Sequence, residues 1–370
     1  LMDTPQPNTP PTTHSPMIRQ QLLGSVAIVT LERPRALNAL TEAMRSDLTS
    51  WLTIYPRDPN VYAVVLQSAV PRAFSVGSDV REVIAFARED LERARAAFRH
   101  EYALNWRIEC FSKPIVSLID GMVMGGGVGI SLYGTHRVAG AGYRFAMPET
   151  AIGFFPDVGV CHAFARMPDN IGVYLALTGR TIARADAYHL GLVTHCIEAG
   201  HFDEIKRALG ETMPVDPLLD GLHREPGEGE LERHRSVIAT CFSANSVPEI
   251  LDRLRSVTGE ATHWAHEVAR DLERRSPLAL AVTLEHVRAC GLLDLRETLH
   301  RDYRLACRFL EAHDFYEGVR AVLVDKDGSP SWQPRSLGLL SSEMVARYSA
   351  PLEGAAWMLP TRSEMQAARA

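Results

Sequence analysis

The stretch IVSLIDGMVMGGGVGISLYG, residues 115–134, narrows the folds open to this chain more than any other. It has about the length a membrane-crossing helix needs. G-x-x-x-G spacings even occur at Gly121/Gly125 and Gly125/Gly129. Asp120 interrupts it, however, and five glycines in nine residues break any continuous helix. The pattern predicts a buried strand ending at Asp120, a tight connection through the glycines, and a buried helix from about Gly126. Elements this apolar need cover on both faces, so the surrounding chain has to supply layers of strand and helix.

The flanking sequence supplies them. SVAIVTLER (25–33) reads as a strand, TEAMRSDLTSWLTIY (41–55) as a helix capped by Thr41, and VYAVVLQS (61–68) as a strand buried on both faces. AFSVGSDVREV is a turn leading into a helical pattern that runs to about Cys110. HRVAGAG and YRFAMPE suggest short strands. GVYLALTG and ARADAYHLG suggest helices stopped at Gly179 and Gly191, and LVTHCIE (192–198) a closing strand. The alternation predicts an α/β fold with parallel strands joined by helical crossovers. After about residue 210 strand signals nearly stop. PVDPLLDGLHREPGEGE (214–230) reads as a linker or loop, and 246 to about 325 as mostly helix, with Ser276–Pro277 as an N-cap and first-turn proline. The Pro- and Thr-rich residues 1–16 predict a disordered tail. The expected organisation is therefore a tail (1–16), an α/β core (17–210), a helical region (211–335) and a C-terminal extension (336–370).

Composition removes several function classes. The chain has 370 residues, 46% of them hydrophobic, and a net charge of −6. Its arginines are interspersed with acids, as in REDLERARAAFRHE (88–101), which reads as a solvated helix face and not as a nucleic-acid surface. Six cysteines, at 110, 161, 196, 241, 290 and 307, include no C-x-x-C. Neither they nor His136, His162, His189 and His195 have metal-ligand spacing, so no metal site is expected. The N-terminal stretch lacks the apolar segment of a signal peptide. A cytoplasmic, reducing compartment with no membrane association is the expectation.

Two kinds of feature remain. The first is a pair of glycine turns. GMVMGGGVG fits no G-x-G-x-x-G register, and the chain holds no phosphate-binding G-x-x-x-x-G-K-[ST] and no G-x-S-x-G. A strand that ends, turns on glycine and restarts as a helix presents unspent N–H groups to developing negative charge, which makes Gly126 a candidate oxyanion donor. AFSVGSDVR (73–81) is the second turn, in which Asp79 also suits a helix cap. The second feature is FAMPETAIGFFPDVG (145–159), with Glu149 and Asp157 in apolar surroundings. Each alone could be structural. Together, burial and mutual repulsion would push their proton affinities up and apart, as acid/base work near neutral pH requires.

RPRALNAL (33–40), AFSVGSDVR, SKPIVSLIDGMVMGGGVGISL (112–132) and FAMPETAIGFFPDVG together resemble the enoyl-CoA hydratase/isomerase, or crotonase, superfamily. RHEYALN (99–105), YLALTGRTI (174–182) and HDFYEGVRAVLVDKDGSPSW (313–332) make the likeness closest to its 3-hydroxyisobutyryl-CoA hydrolase branch, over about residues 17–335. The resemblance implies a crotonase-like spiral of ββα repeats followed by a mostly helical C-terminal region. It implies an acyl-CoA substrate, no cofactor beyond the CoA that belongs to that substrate, and a homo-oligomer in many members. By position, the N–H groups of Ser78 and Gly126 would form the oxyanion hole. Arg35 and Arg72 would meet CoA phosphates, and the loop at Ser75 and Gly77 would line the CoA path.

Departures from the family pattern decide the expected chemistry. A typical hydratase keeps a glutamate on the glycine-rich helix, where this chain has Gly129, and a second where it has Glu149. Where hydratases keep a glycine, this chain has Asp157, and Glu101 matches an acid that the hydrolase branch places at the substrate. The resemblance thus implies hydrolysis of a short β-hydroxyacyl-CoA, most of all 3-hydroxyisobutyryl-CoA, a step of valine catabolism. Glu149 would be general base or nucleophile, and Asp157 and Glu101 would contact the substrate. The alternatives are an enoyl-CoA hydratase or isomerase, and a non-catalytic acyl-CoA-binding member.

Overall fold

The computed structural model describes residues 17–354 and 356–368, so the expected disordered tail lies outside the described residues. The chain opens with an antiparallel hairpin, β1 (Ile18–Leu23) and β2 (Val26–Leu31), turned at Gly24 with φ 55°. From there it winds as a spiral. β3 (Ala63–Ser68) is followed by the short β4 (Ala73–Ser75), β5 (Ile115–Ile119) by β6 (Met122–Met124), and β7 (His136–Ala139) by β8 (Arg144–Ala146). β9 (Ile182–Ala183) and β10 (His195–Cys196) complete the set. One member of each pair joins a six-stranded sheet of order β1-β2-β3-β5-β7-β10, parallel from β2 onward. The other joins a four-stranded sheet of order β4-β6-β8-β9, in which only β9 is antiparallel. This is the expected ββα spiral.

The elements follow from local chemistry. α1 (Glu42–Ile54) buries Met44, Leu48, Trp51 and Leu52 at helical spacing, and the Thr41 hydroxyl accepts from Met44 N at 3.2 Å. The apolar stretch at 115–134 is β5, β6 and α4 (Gly126–Ser131), with Gly121 and Gly125 at φ 124° and 46° making the connection. No described helix is long and apolar enough to cross a membrane.

Three expectations need correction. The helical pattern up to Cys110 is two helices, α2 (Val80–Glu89) and α3 (Leu91–Glu109). Asp90 separates them because its extended backbone lets its carboxylate cap α3 through Glu92 N at 2.9 Å. The strand expected over 192–198 shrinks to the two residues of β10. α5 (Val160–Phe164), α6 (Ile171–Thr178), α7 (Arg184–His189) and α8 (Phe202–Gly210) complete the core. The expected linker at 214–230 then begins with α9 (Val215–Leu222). Val215 and Leu219 bury beside Ile205 and Leu209 on one face of the six-stranded sheet, so burial overrides the turn residues there.

The C-terminal region is helical as expected: α10 (Arg235–Cys241), α11 (Val247–Arg255), α12 (Thr262–Glu273), α13 (Pro277–Ala289), α14 (Leu295–Leu310) and α15 (His313–Val319). Ser276 caps α13, its hydroxyl accepting from Ala279 N at 3.0 Å. The extension holds α16 (Ser342–Ser349) and α17 (Arg362–Ala367). One continuous hydrophobic core joins the spiral to these helices. The sequence boundary near 210 therefore separates patterns and not packing units.

Candidate active site

Four segments bring the expected residues together. β4 runs into the turn 76–79, which is pinned by Leu40 N donating to Gly77 O at 2.8 Å and Asp79 N donating to Leu40 O at 2.9 Å. Asp79 caps α2 and pairs with Arg33 at 2.8 Å, so its role is structural. These bonds leave the Ser78 N–H without an acceptor among the described residues. The N–H of Gly126, first residue of α4, is likewise unspent. The two turns are in van der Waals contact: a Cβ on Gly77, whose φ is 107°, would lie 3.4 Å from Gly126 N. A Cβ on Gly126 would lie 3.1 Å from Ser78 N and would press into the Ser78 hydroxyl and Glu101. Only glycine lets the two donors stand side by side.

α3 adds the third wall. Glu101 is buried, and the Ser78 hydroxyl donates to its Oε1. The fully buried Arg45 sits 3.9 Å from Glu101 Oε2 and donates to Leu40 O at 3.0 Å. One residue on, the Tyr102 hydroxyl donates to Asp157 Oδ2 at 2.7 Å.

The fourth wall is the segment that follows β8. Pro148 ends the strand direction, and a 3-10 turn, Glu149–Ile152, closes on Gly153 at φ 67°. Thr150 anchors it by donating to Leu177 O at 3.0 Å, and α6 ends on Gly179, where a Cβ would strike the Pro148 backbone. Glu149 is 8% exposed, and its Oε2 has no partner among the described residues. Its Oε1 would lie 3.0 Å from a Cβ at Gly125, the residue before Gly126. Burial pushes the Glu149 carboxyl up to about 8; a backbone hydrogen bond opposes this and the nearby Glu101 adds to it.

Asp157 sits on a loop held by its own neighbours. Tyr133 OH donates to Val158 O at 2.5 Å, Gly159 N donates to Asp302 Oδ2 at 2.6 Å, and Cys161 Sγ lies 3.1 Å from Pro156 O. Val158 takes φ 52° and Gly159 φ 77°. A β-branched residue in the left-handed region carries about 1–3 kcal/mol of strain, kept where surroundings impose it. Burial raises the Asp157 carboxyl well above the usual range, and the charges of Glu101, Glu149 and Asp302 raise it further, against the Tyr102 hydrogen bond. Asp302 also accepts from His286, its Oδ1 2.7 Å from Nε2, and both side chains are fully buried.

The structure therefore gathers Ser78, Glu101, Gly126, Glu149 and Asp157. Arg35 and Arg72 are exposed, with no side-chain partner among the described residues. Ser75 lies at the end of β4. Its side chain is buried beneath the turn, its hydroxyl donating to Asn38 O at 2.8 Å and accepting from Gly77 N at 3.2 Å. Gly77 remains at the turn itself. Among the described residues no cluster of three metal-binding side chains occurs. A cavity of about 870 Å³ lies elsewhere, between α3, α14 and the C-terminal segment, and includes neither Glu149 nor Asp157 in its lining.

Sequence reasoning missed Tyr102, Asn105, Tyr133, His286 and Asp302. Helical spacing from Glu101 could have found Asn105, one turn along α3. Asp302, in RETLHRDYR, looks like any exposed helix charge.

Gly129 is explained by its surroundings. A Cβ there would lie 2.7 Å from Asn105 Nδ2 and 2.9 Å from Val158 Cβ. The space a side chain at position 129 would need is already occupied.

A family model described as Enoyl-CoA hydratase/isomerase matches residues 26–349. The chain is 36% identical to the mitochondrial 3-hydroxyisobutyryl-CoA hydrolase of Gallus gallus, over 90% of this chain and 88% of that one. It is also 36% identical to the enzyme of that name from Homo sapiens, over 86% and 85%. A solved carnitinyl-CoA dehydratase from Mycobacterium thermoresistibile superposes with a TM-score of 0.86 at 38% identity, covering 91% of this chain and 97% of that one. An enoyl-CoA hydratase from Rhodobacter sphaeroides 2.4.1 gives 0.84 at 36% identity, covering 91% and 98%.

Proposed function

The chain belongs to the enoyl-CoA hydratase/isomerase family, and from that premise we propose that it hydrolyses the thioester of a short β-hydroxyacyl-CoA, 3-hydroxyisobutyryl-CoA above all, to the free acid and CoA. The observation that carries the reading is the single unpartnered carboxylate oxygen of Glu149 beside two unspent N–H groups, with Gly129 walled off from holding a second acid. The hydrolase relatives, matched over nearly their whole length, support it.

The chemistry follows from the geometry. The thioester oxygen lies between the N–H groups of Ser78 and Gly126, which hold its charge as the carbonyl carbon is attacked. In the general-base route, Glu149 takes a proton from water while the water oxygen bonds that carbon. The tetrahedral species then collapses, the C–S bond breaks, and the proton passes from Glu149 to the departing thiolate. In the nucleophilic route, a Glu149 carboxylate oxygen bonds that carbon, the C–S bond breaks and CoA leaves as the thiolate; water then adds to the Glu149 carboxyl carbon of the anhydride, the acid departs, and a water proton passes to the thiolate. Single turnover in ¹⁸O-water separates them: only the nucleophilic route leaves label in Glu149. Asp157 holds the substrate hydroxyl, with Glu101 assisting, and Arg35 and Arg72 meet the CoA phosphates.

The test is thiol release from 3-hydroxyisobutyryl-CoA, read with a thiol reagent. Full activity in Glu149→Gln would sink the assignment.

The second reading is an enoyl-CoA hydratase or dehydratase, favoured by the names of the two superposed structures. It predicts ultraviolet loss of a conjugated enoyl thioester with no thiol released, and the crowding at Gly129 argues against it. As hydrolase, the enzyme would serve valine breakdown. Its six buried thiols suit a reducing compartment, and the hydrolase relatives are named as mitochondrial enzymes.

A further inference from the structure

Asn105 is fully buried on α3, and neither its Nδ2 nor its Oδ1 has a partner among the described residues. A buried amide with both ends unspent is costly, and native structures keep one where something else completes it. Its position says what that is. Asn105 lies one helical turn beyond Glu101, and it faces Gly129, one turn beyond Gly126 on α4. Val158, next to Asp157, closes the other side. The amide is thus displaced from the N–H groups of Ser78 and Gly126 by about one turn, on the order of 5 Å. The hydroxyl oxygen of a β-hydroxyacyl thioester lies roughly 3–4 Å from its carbonyl carbon.

We infer that Asn105 is a specificity residue that reads the β-hydroxyl of the acyl group. The Asn105 Nδ2 donates to the hydroxyl oxygen, while the hydroxyl proton goes to Asp157, so the hydroxyl spends both its capacities. The inference rests on the acyl-CoA reading above and extends it: it assigns the hydroxyl preference to a residue outside the acid pair. A site that leaves such an amide unpaired discriminates against substrates without the hydroxyl.

The test compares wild type with Asn105→Leu, close in shape but apolar. The readouts are kcat/KM for 3-hydroxyisobutyryl-CoA and isobutyryl-CoA, and thermal unfolding of the free enzyme. The expected result is at least a tenfold fall in the ratio of the two kcat/KM values, with a Tm equal to or above wild type, because the variant removes an unsatisfied amide. Equal fractional loss on both thioesters, or an unchanged ratio, would overturn the inference. So would a variant that unfolds, since the amide would then have a structural duty. If wild type releases no thiol from either compound, hydrolysis fails as the activity. Calorimetric affinities for the same two thioesters then decide on Asn105: a preference for the hydroxylated one that Asn105→Leu erases supports it, and one that persists, or is absent from wild type, refutes it.

Discussion

At the scale of single residues, Glu149 concentrates the consequences of burial. Its carboxyl is raised from 4.5 to about 8, and in either proposed role, general base or nucleophile, it would act only when ionised. kcat/KM should therefore climb with pH and level off above about pH 8. Glu149→Gln should lower kcat about 10²–10⁴-fold, read by thiol release. The same shift acts on stability. Between pH 4.5 and about 8 the folded chain binds more protons at this site than the unfolded chain, so stability falls as pH rises, by roughly 5 kcal/mol across the window. Urea titrations at several pH values should show a shallower decline in Glu149→Gln. Gly129 makes the opposite point. Gly129→Ala should cost about 1–3 kcal/mol by forcing Asn105 and Val158 apart, without conferring hydration of an enoyl thioester. Glu149, Asp157 and Gly126 stood out in the sequence because turn glycines and acids in apolar stretches break a pattern, whereas Ser78 was named only through the family resemblance. Asn105 and Asp302 did not stand out, because a polar residue on a helix looks the same facing water or facing a site.

Among the elements, the loop carrying Asp157 depends on groups far away in sequence. Asp302 on α14 holds both the Gly159 N–H and His286 of α13. Asp302→Ala leaves two buried donors without an acceptor and should cost about 3–5 kcal/mol in chemical unfolding. Activity at temperatures where the variant is folded should fall with the displaced Asp157. The break between α2 and α3 was illegible for a different reason. Apolar spacing runs smoothly through Asp90, and only the rotation of α3 into register with Ser78 and Asp157 requires the chain to stop and restart there. α9 was hidden by prolines and glycines, whose local preference yields to two buried apolar contacts with the sheet.

Across the whole molecule, the spiral and the C-terminal helices share one core. Phe154, three residues before Asp157, packs between Phe98 of α3, Phe309 of α14 and Phe315 of α15, with ring centroids 5.7, 5.3 and 4.7 Å away. The extension continues this. Trp106 on α3 donates to Pro360 O at 2.7 Å, Leu359 N donates to His300 Nε2 at 2.8 Å, and Tyr348 and Leu359 are buried. Ending the chain at residue 340 should cost about 3–6 kcal/mol for those two side chains alone. Because α3 carries Glu101, Tyr102 and Asn105, kcat should fall as well. Calorimetry and thiol release on the truncated chain check both.

The Trp106–Pro360 bond spans 254 residues. During synthesis at about 5–20 residues per second, α3 emerges roughly 13–50 s before the segment that braces it. Every acid of the site is translated long before that brace arrives, so the nascent chain holds these groups without their final alignment until Pro360 has emerged.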